Sequence, residues 1–179
     1  GEFWHSDVSC DIEPPLGTML QIQILPESGG DTMFANMNLA YEKLSEPYKI
    51  FLTGLNAVHE SEHIYKGRYL DRGVKDTEIR YPKAIHPIIR THPITKKKSI
   101  FVNRTFTTRI ESLTDFESKK TLEFLFAHCE SLDFQIRYRW NIYDMVLWDN
   151  RCAMHRAIWD YWPMERKGRR VTIKGDKPY

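Results

Sequence analysis

Phe134-Gln-Ile-Arg-Tyr-Arg-Trp140 alternates apolar with polar residues along its whole length. That two-residue period belongs to a strand with one buried face. Working outward, Met145–Trp148 and Arg170–Ile173 read as further strands on its C-terminal side. On its N-terminal side, Thr114-Asp-Phe-Glu117 has the capping-box pattern and opens a helix predicted over 115–129. Ile85–Thr91 and Ser99–Asn103 read as strands flanking a turn at 93–98. Thr18–Leu25 alternates for part of its length and is followed by the turn-forming run Pro26-Glu-Ser-Gly-Gly-Asp31. Helices are predicted over 38–44 and from 47 to 55, with Ala40, Leu44, Tyr48, Phe51 and Leu55 on the core face. Strands outnumber helices in the second half. The pattern predicts a mostly antiparallel β protein with flanking helices rather than a βαβ sheet.

With 179 residues, 41% of them hydrophobic, the chain is expected to be one domain spanning 1–179 with a core of its own. Twenty-six basic and 24 acidic residues leave a net charge of +2, too even to draw the chain to nucleic acid or a membrane surface. No apolar run approaches the roughly 18–20 residues of a membrane span. Cys10, Cys129 and Cys152 are odd in number, widely spaced and form no CxxC, which fits free thiols in a reducing, cytoplasmic setting. The stretch 58–82 is polar without a clear period and is expected to be a lid insertion or a surface loop. Within it, His59 and His63 have a metal-compatible i, i+4 spacing, but no helical period and no third ligand accompany them.

The chemistry-bearing residues lie near the two ends. Trp4–Ser9 reads as a short extended piece, so His5 and Asp7 would project to one face. A second histidine from a distant strand would complete a 2-His-1-carboxylate triad, which leaves one side of a metal open and suits non-haem Fe(II). If the chain turns back through Asp160–Pro163, the segment 166–174 returns as a strand with Arg166, Gly168, Arg170 and Thr172 on one face. Two guanidinium groups on an inward face call for bound anions, and their planar fork matches a carboxylate.

Taken together, these blocks resemble the taurine/α-ketoglutarate dioxygenase (TauD/TfdA) family of Fe(II)- and 2-oxoglutarate-dependent oxygenases. Trp4-His5-Ser-Asp7-Val-Ser9 is similar to its first metal motif, and Gly29-Gly-Asp-Thr32-Met-Phe-Ala-Asn36 to the segment that follows. His86-Pro-Ile-Ile-Arg90-Thr-His92-Pro93, Phe101–Ile110, Trp148-Asp-Asn-Arg151 to His155, and Arg166 to Pro178 are similar to later blocks, in the same order. The resemblance implies a double-stranded β-helix, the jelly-roll or cupin-like fold, with its N-terminal part missing because His5 stands almost at the start. It implies that His5, Asp7 and His155 ligate Fe(II), and that Thr32 and Arg166 hold the far carboxylate of 2-oxoglutarate. Arg170 would meet an anionic substrate and Phe106 would wall the apolar side of its pocket, with Gly168 leaving room for a bulkier molecule.

The implied reaction consumes O2 and 2-oxoglutarate, releases succinate and CO2, and hydroxylates a small substrate: taurine or another sulfonate, a sulfate ester, or a related acid. Self-association is a further expectation from the family. The alternative is a non-catalytic 2-oxoglutarate- and metal-binding module of the same fold. A zinc hydrolase would need a general base beside His5 and Asp7, and none stands out.

Overall fold

The computed structural model describes residues 2–68 and 80–179. Two three-stranded sheets carry the candidate site. The first has the order β11(Lys167–Ile173), β1(Gly17–Ile24), β9(Met145–Asp149); the second has β10(Ala153–Ala157), β2(Thr32–Asn36), β8(Gln135–Tyr138). All four pairings are antiparallel. The sheets meet through Trp148 of β9, whose ring lies 5.4 Å from Phe34 of β2 and 4.6 Å from His155 of β10.

A third sheet, β4(Lys83–Pro87)–β3(Asn56–Glu60)–β7(Thr107–Ile110), and the β5(Ile89–Thr91)–β6(Lys98–Ile100) hairpin lie alongside. The helices α1(Met37–Glu42), α2(Glu46–Leu52) and α4(Asp115–Cys129) flank these strands, so the fold is mostly β with few helices. The apolar core runs from Trp4, Ala35 and Met154 through Ile88, Ile100 and Val102 to Leu122 and Leu125 of α4.

Local chemistry explains the best-defined helix. Thr114 Oγ1 accepts from the Glu117 backbone N–H while the Glu117 carboxylate accepts from the Thr114 N–H, closing the capping box that opens α4. Leu122, Leu125 and Cys129 then fall on its buried face.

Elsewhere tertiary packing overrides the expected boundaries. Phe134 belongs to a 3₁₀ turn, and the strand beside it is only Gln135–Tyr138. The single strand expected over 85–91 is two, broken at Ile88, which is fully buried. In α2 the buried residue is Leu52, while Phe51 is 44% exposed, so the expected core face is rotated by about one residue.

The candidate lid 58–82 is also revised. Its start is core strand β3, with Ala57, Val58 and His59 fully buried, followed by the short helix α3(Glu62–Tyr65). Residues 69–79 lie outside the described residues. His59 sits on the strand and His63 on the helix, so the two do not share a helical face as their spacing would require. The return strand is β11, and it pairs with β1 rather than with β10, placing the two ends of the 158–166 connection in different sheets.

Candidate metal and cosubstrate site

His5 and Asp7 do not share a face of one strand. Only His5 is bridged, exchanging both backbone hydrogen bonds with His155 at 2.8 and 3.1 Å. The chain then turns sharply through Val8, whose φ of 45° is unusual for a β-branched residue. The Asp7 carboxylate lies beside the two imidazoles. Asp7 Oδ1 lies 3.8 Å from His5 Nε2 and 3.9 Å from His155 Nε2, and the two rings are 4.2 Å apart. The sequence-predicted triad therefore converges, with the His5–His155 bridge setting the two imidazoles side by side.

The donor set is prepared for a cation. His5 Nδ1 bonds to the Phe3 carbonyl at 2.8 Å, so Nδ1 carries the proton and the Nε2 lone pair is free. Burial pushes the pKa of His5 down, as it does that of His155, where the neighbouring His5 adds to the effect. Burial alone would raise Asp7. His155, the Thr18 hydroxyl, His5 and Arg170 together outweigh it and hold the carboxyl below its ordinary value. Two neutral imidazoles and an ionised carboxylate are the protonation states a divalent metal requires. The set, with one open side, fits Fe(II).

Thr32 and Arg166 form a second locus. Thr32 Oγ1 accepts from Trp140 Nε1 at 3.0 Å and from Arg166 Nη2 at 3.4 Å, so its own proton is free to donate. The Arg166 guanidinium lies over Trp140, and its buried Nε has no partner among the described residues. An unpartnered guanidinium nitrogen beside a free hydroxyl is what a carboxylate would satisfy. Gly30, at φ 75°, lets this arrangement close, since a Cβ there would fall 2.9 Å from Arg166 Cδ. On β2, Thr32 and Phe34 face the same way, and Phe34 is paired with His155. The locus thus lies one two-residue strand step, about 7 Å, from the row of the candidate metal ligands, a span suited to a short dicarboxylate.

Arg170 is close to the triad, with Nη1 donating to Asp7 Oδ1 at 3.2 Å while its side chain stays 54% exposed. Phe106 is buried and lines a cavity of about 450 Å³ with Phe3, His5, Tyr65, Arg68 and Trp159. Gly168 does not open space for substrate: a Cβ there would meet Gln21 O at 2.7 Å and Leu20 Cδ1 at 2.9 Å. Its role is to let β11 pack against β1. Sequence reading missed Tyr65, Arg68 and Trp159, and also Thr18, Asn150 and Trp140, which touch the candidate ligands. For Asn150, its place in the Trp148–Arg151 run was the available signal; Thr18 carries none.

The profile of the "Taurine catabolism dioxygenase TauD, TfdA family" matches residues 1–172. The chain belongs to this family. It is 38% identical over 178 residues to the alpha-ketoglutarate-dependent sulfonate dioxygenase of Saccharomyces cerevisiae, covering 98% of this chain and 42% of that one. It is 33% identical over 182 residues to an alpha-ketoglutarate-dependent sulfate ester dioxygenase of Pseudomonas putida, covering 98% and 60%. Among solved structures, AAD-2 in complex with Mn(II) and N-oxalylglycine superposes with a TM-score of 0.85 at 29% identity, over 98% of this chain and 69% of that one. The chain thus spans between about two fifths and three fifths of the length of these two relatives.

Proposed function

We propose that this TauD/TfdA-family chain is the metal- and cosubstrate-binding part of an Fe(II)- and 2-oxoglutarate-dependent dioxygenase that hydroxylates a small anionic substrate. The observation that carries the reading is the pairing of a deprotonated His5–Asp7–His155 donor set with the Thr32–Arg166 anion receptor one strand step away. The fold that suits it is the double-stranded β-helix, with the two three-stranded sheets as its facing halves. Relatives named for sulfonate and sulfate ester substrates support the substrate class.

In this reading His5 Nε2, Asp7 Oδ1 and His155 Nε2 would hold Fe(II), which would supply the activation of O2 and the oxidation of a C–H bond. Arg166 and Thr32 grip the far carboxylate of 2-oxoglutarate and so fix where its 2-oxo acid end lies. Arg170 offers the free edge of its guanidinium to the anionic group of the substrate while keeping its contact with Asp7. Phe106, Tyr65 and Trp159 line the apolar side and keep water from the target carbon.

The test is a screen of sulfonates, sulfate esters and aryloxy acids, following succinate formation with Fe(II) and 2-oxoglutarate. Succinate should appear only when both are present and should vanish in His5→Ala and His155→Ala. Undiminished turnover in either variant refutes the assignment. Tight 2-oxoglutarate binding without succinate across the panel would instead identify a binding module.

A further inference from the structure

The Asp7 carboxylate has two oxygens, and only Oδ1 faces the imidazoles. Oδ2 accepts from Thr18 Oγ1 at 2.6 Å. Thr18 in turn accepts from Asn150 Nδ2 at 2.9 Å, and Asn150 Oδ1 accepts from Trp148 Nε1 at 3.1 Å and from the Asp7 backbone N–H at 3.4 Å. The direction of this chain is forced. An indole N–H can only donate, so the Asn150 oxygen must face Trp148 and its NH2 must face Thr18. Thr18 Oγ1 is then occupied as an acceptor, and its single proton points at Asp7 Oδ2. Thr18 and Asn150 are essentially inaccessible to solvent. Ser6 Oγ adds a bond to the Asn150 carbonyl at 2.8 Å, tying the same turn to β9's end. Trp148 also packs on the His155 ring, so one chain touches two of the three candidate ligands.

We infer that Thr18 and Asn150 are positioning residues that restrict Asp7 to one metal-facing oxygen. The inference rests on the metal-binding reading of His5, Asp7 and His155. A carboxylate offering one oxygen takes one coordination position; one free to rotate and offer both takes two. Holding Oδ2 on Thr18 keeps the second position for exchangeable ligands, which a reaction using both a chelating 2-oxo acid and O2 needs. The chain also fixes the carboxylate plane before metal arrives, so less order has to be imposed on binding.

The test is titration of the purified protein with Mn(II), together with the visible spectrum of its Co(II) form, whose intensity reports coordination number. Thr18→Val keeps the shape and removes the donor. Its Mn(II) affinity should fall about 10–100-fold, and its Co(II) spectrum should change, while Thr18→Ser restores both. Asn150→Asp should act in the same direction without touching Thr18 or Asp7, because a second carboxylate would draw the Thr18 proton away from Oδ2. A Thr18→Val protein with the parent's affinity and spectrum overturns the inference. Should Thr18→Val fail to fold, an unchanged affinity and Co(II) spectrum in Asn150→Asp overturns it instead. A parent protein that binds neither metal refutes the metal reading itself, which separates the two failures.

Discussion

Two clusters in this molecule bring a histidine, an aspartate and a third candidate ligand within 4.8 Å of one another, and they are built to opposite ends. In His5–Asp7–His155 the two imidazole Nε2 atoms face Asp7 Oδ1 with their lone pairs unengaged: His5 Nδ1 donates its proton to Phe3 O, Asp7 Oδ1 accepts from the half-exposed Arg170, and Asp7 Oδ2 is tethered away by Thr18. In His92–Asp149–Cys152 every strong donor and acceptor is already engaged. His92 Nδ1 accepts from the Ile94 and Thr95 N–H groups, so Nε2 carries the proton and gives it to Asp149 Oδ2 at 3.0 Å. Asp149 also accepts from Arg151 N, Nε and Nη2. Burial would raise Asp149, but the Arg151 and His92 hydrogen bonds dominate and hold it at about 2. Burial and Asp149 push the Cys152 thiol up to about 11, so it stays protonated. Residue types and proximity do not make a metal site; free lone pairs in the right protonation state do.

The largest expected effect tests that contrast directly. Asp7→Ala or His155→Ala should reduce metal stoichiometry, measured by titration and elemental analysis, from one per chain to none. Asp149→Asn should leave stoichiometry at one, and metal lost from the Asp149 variant but not the Asp7 variant would invert the comparison.

Next in size is stability. Asp149→Asn strands Arg151 and His92 and should cost roughly 1.5–3 kcal/mol, the range for hydrogen bonds to a charged group, read by urea unfolding without metal. An equal loss in Asp7→Asn would mean that both clusters are structural alike.

A third difference is in pH. Asp149 is depressed in the folded state, so its contribution is present above its unfolded pKa of about 4 and is lost as pH falls toward about 2. The buried histidines act earlier. His59, which burial and the nearby His86 push down to about 3, must stay neutral in the fold. The unfolded chain takes up that proton near pH 6.5, so metal-free stability should fall from about pH 6.5 downward, with a shallower slope in His59→Gln. A flat profile between pH 6.5 and 4 would refute this account. The smallest expected effect is that of Cys152→Ser, which should leave metal affinity within about threefold because a protonated thiol is no ligand.

Much of this was legible in the residues. The capping box of α4 was readable because it is local: four consecutive residues satisfy one another. The candidate metal ligands and the Thr32–Arg166 pair were singled out through the resemblance of ordered motifs, while the extended piece expected over 4–9 is a single bridge at His5 followed by a turn from Asp7. That turn includes Val8 in a left-handed conformation, which no pattern of side chains announces. The i, i+4 spacing of His59 and His63, set aside for want of a helical period, spans a strand end and a helix start. Gly168 read as open space, whereas the strand next to it fills that space.

Taken alone, the sequence determined the family, the residue types at the candidate metal and anion loci, and a mostly β fold, because motif order and two-residue periodicity are properties of the chain itself. Only the tertiary structure decided which lone pairs are free. It set His5 against His155 across a bridge, hung Asp7 from Thr18 and Asn150, 11 and 143 residues away, and closed the second cluster with Arg151. Hydrogen-bond direction depends on which donor meets which acceptor across the fold, and a linear pattern carries no record of that.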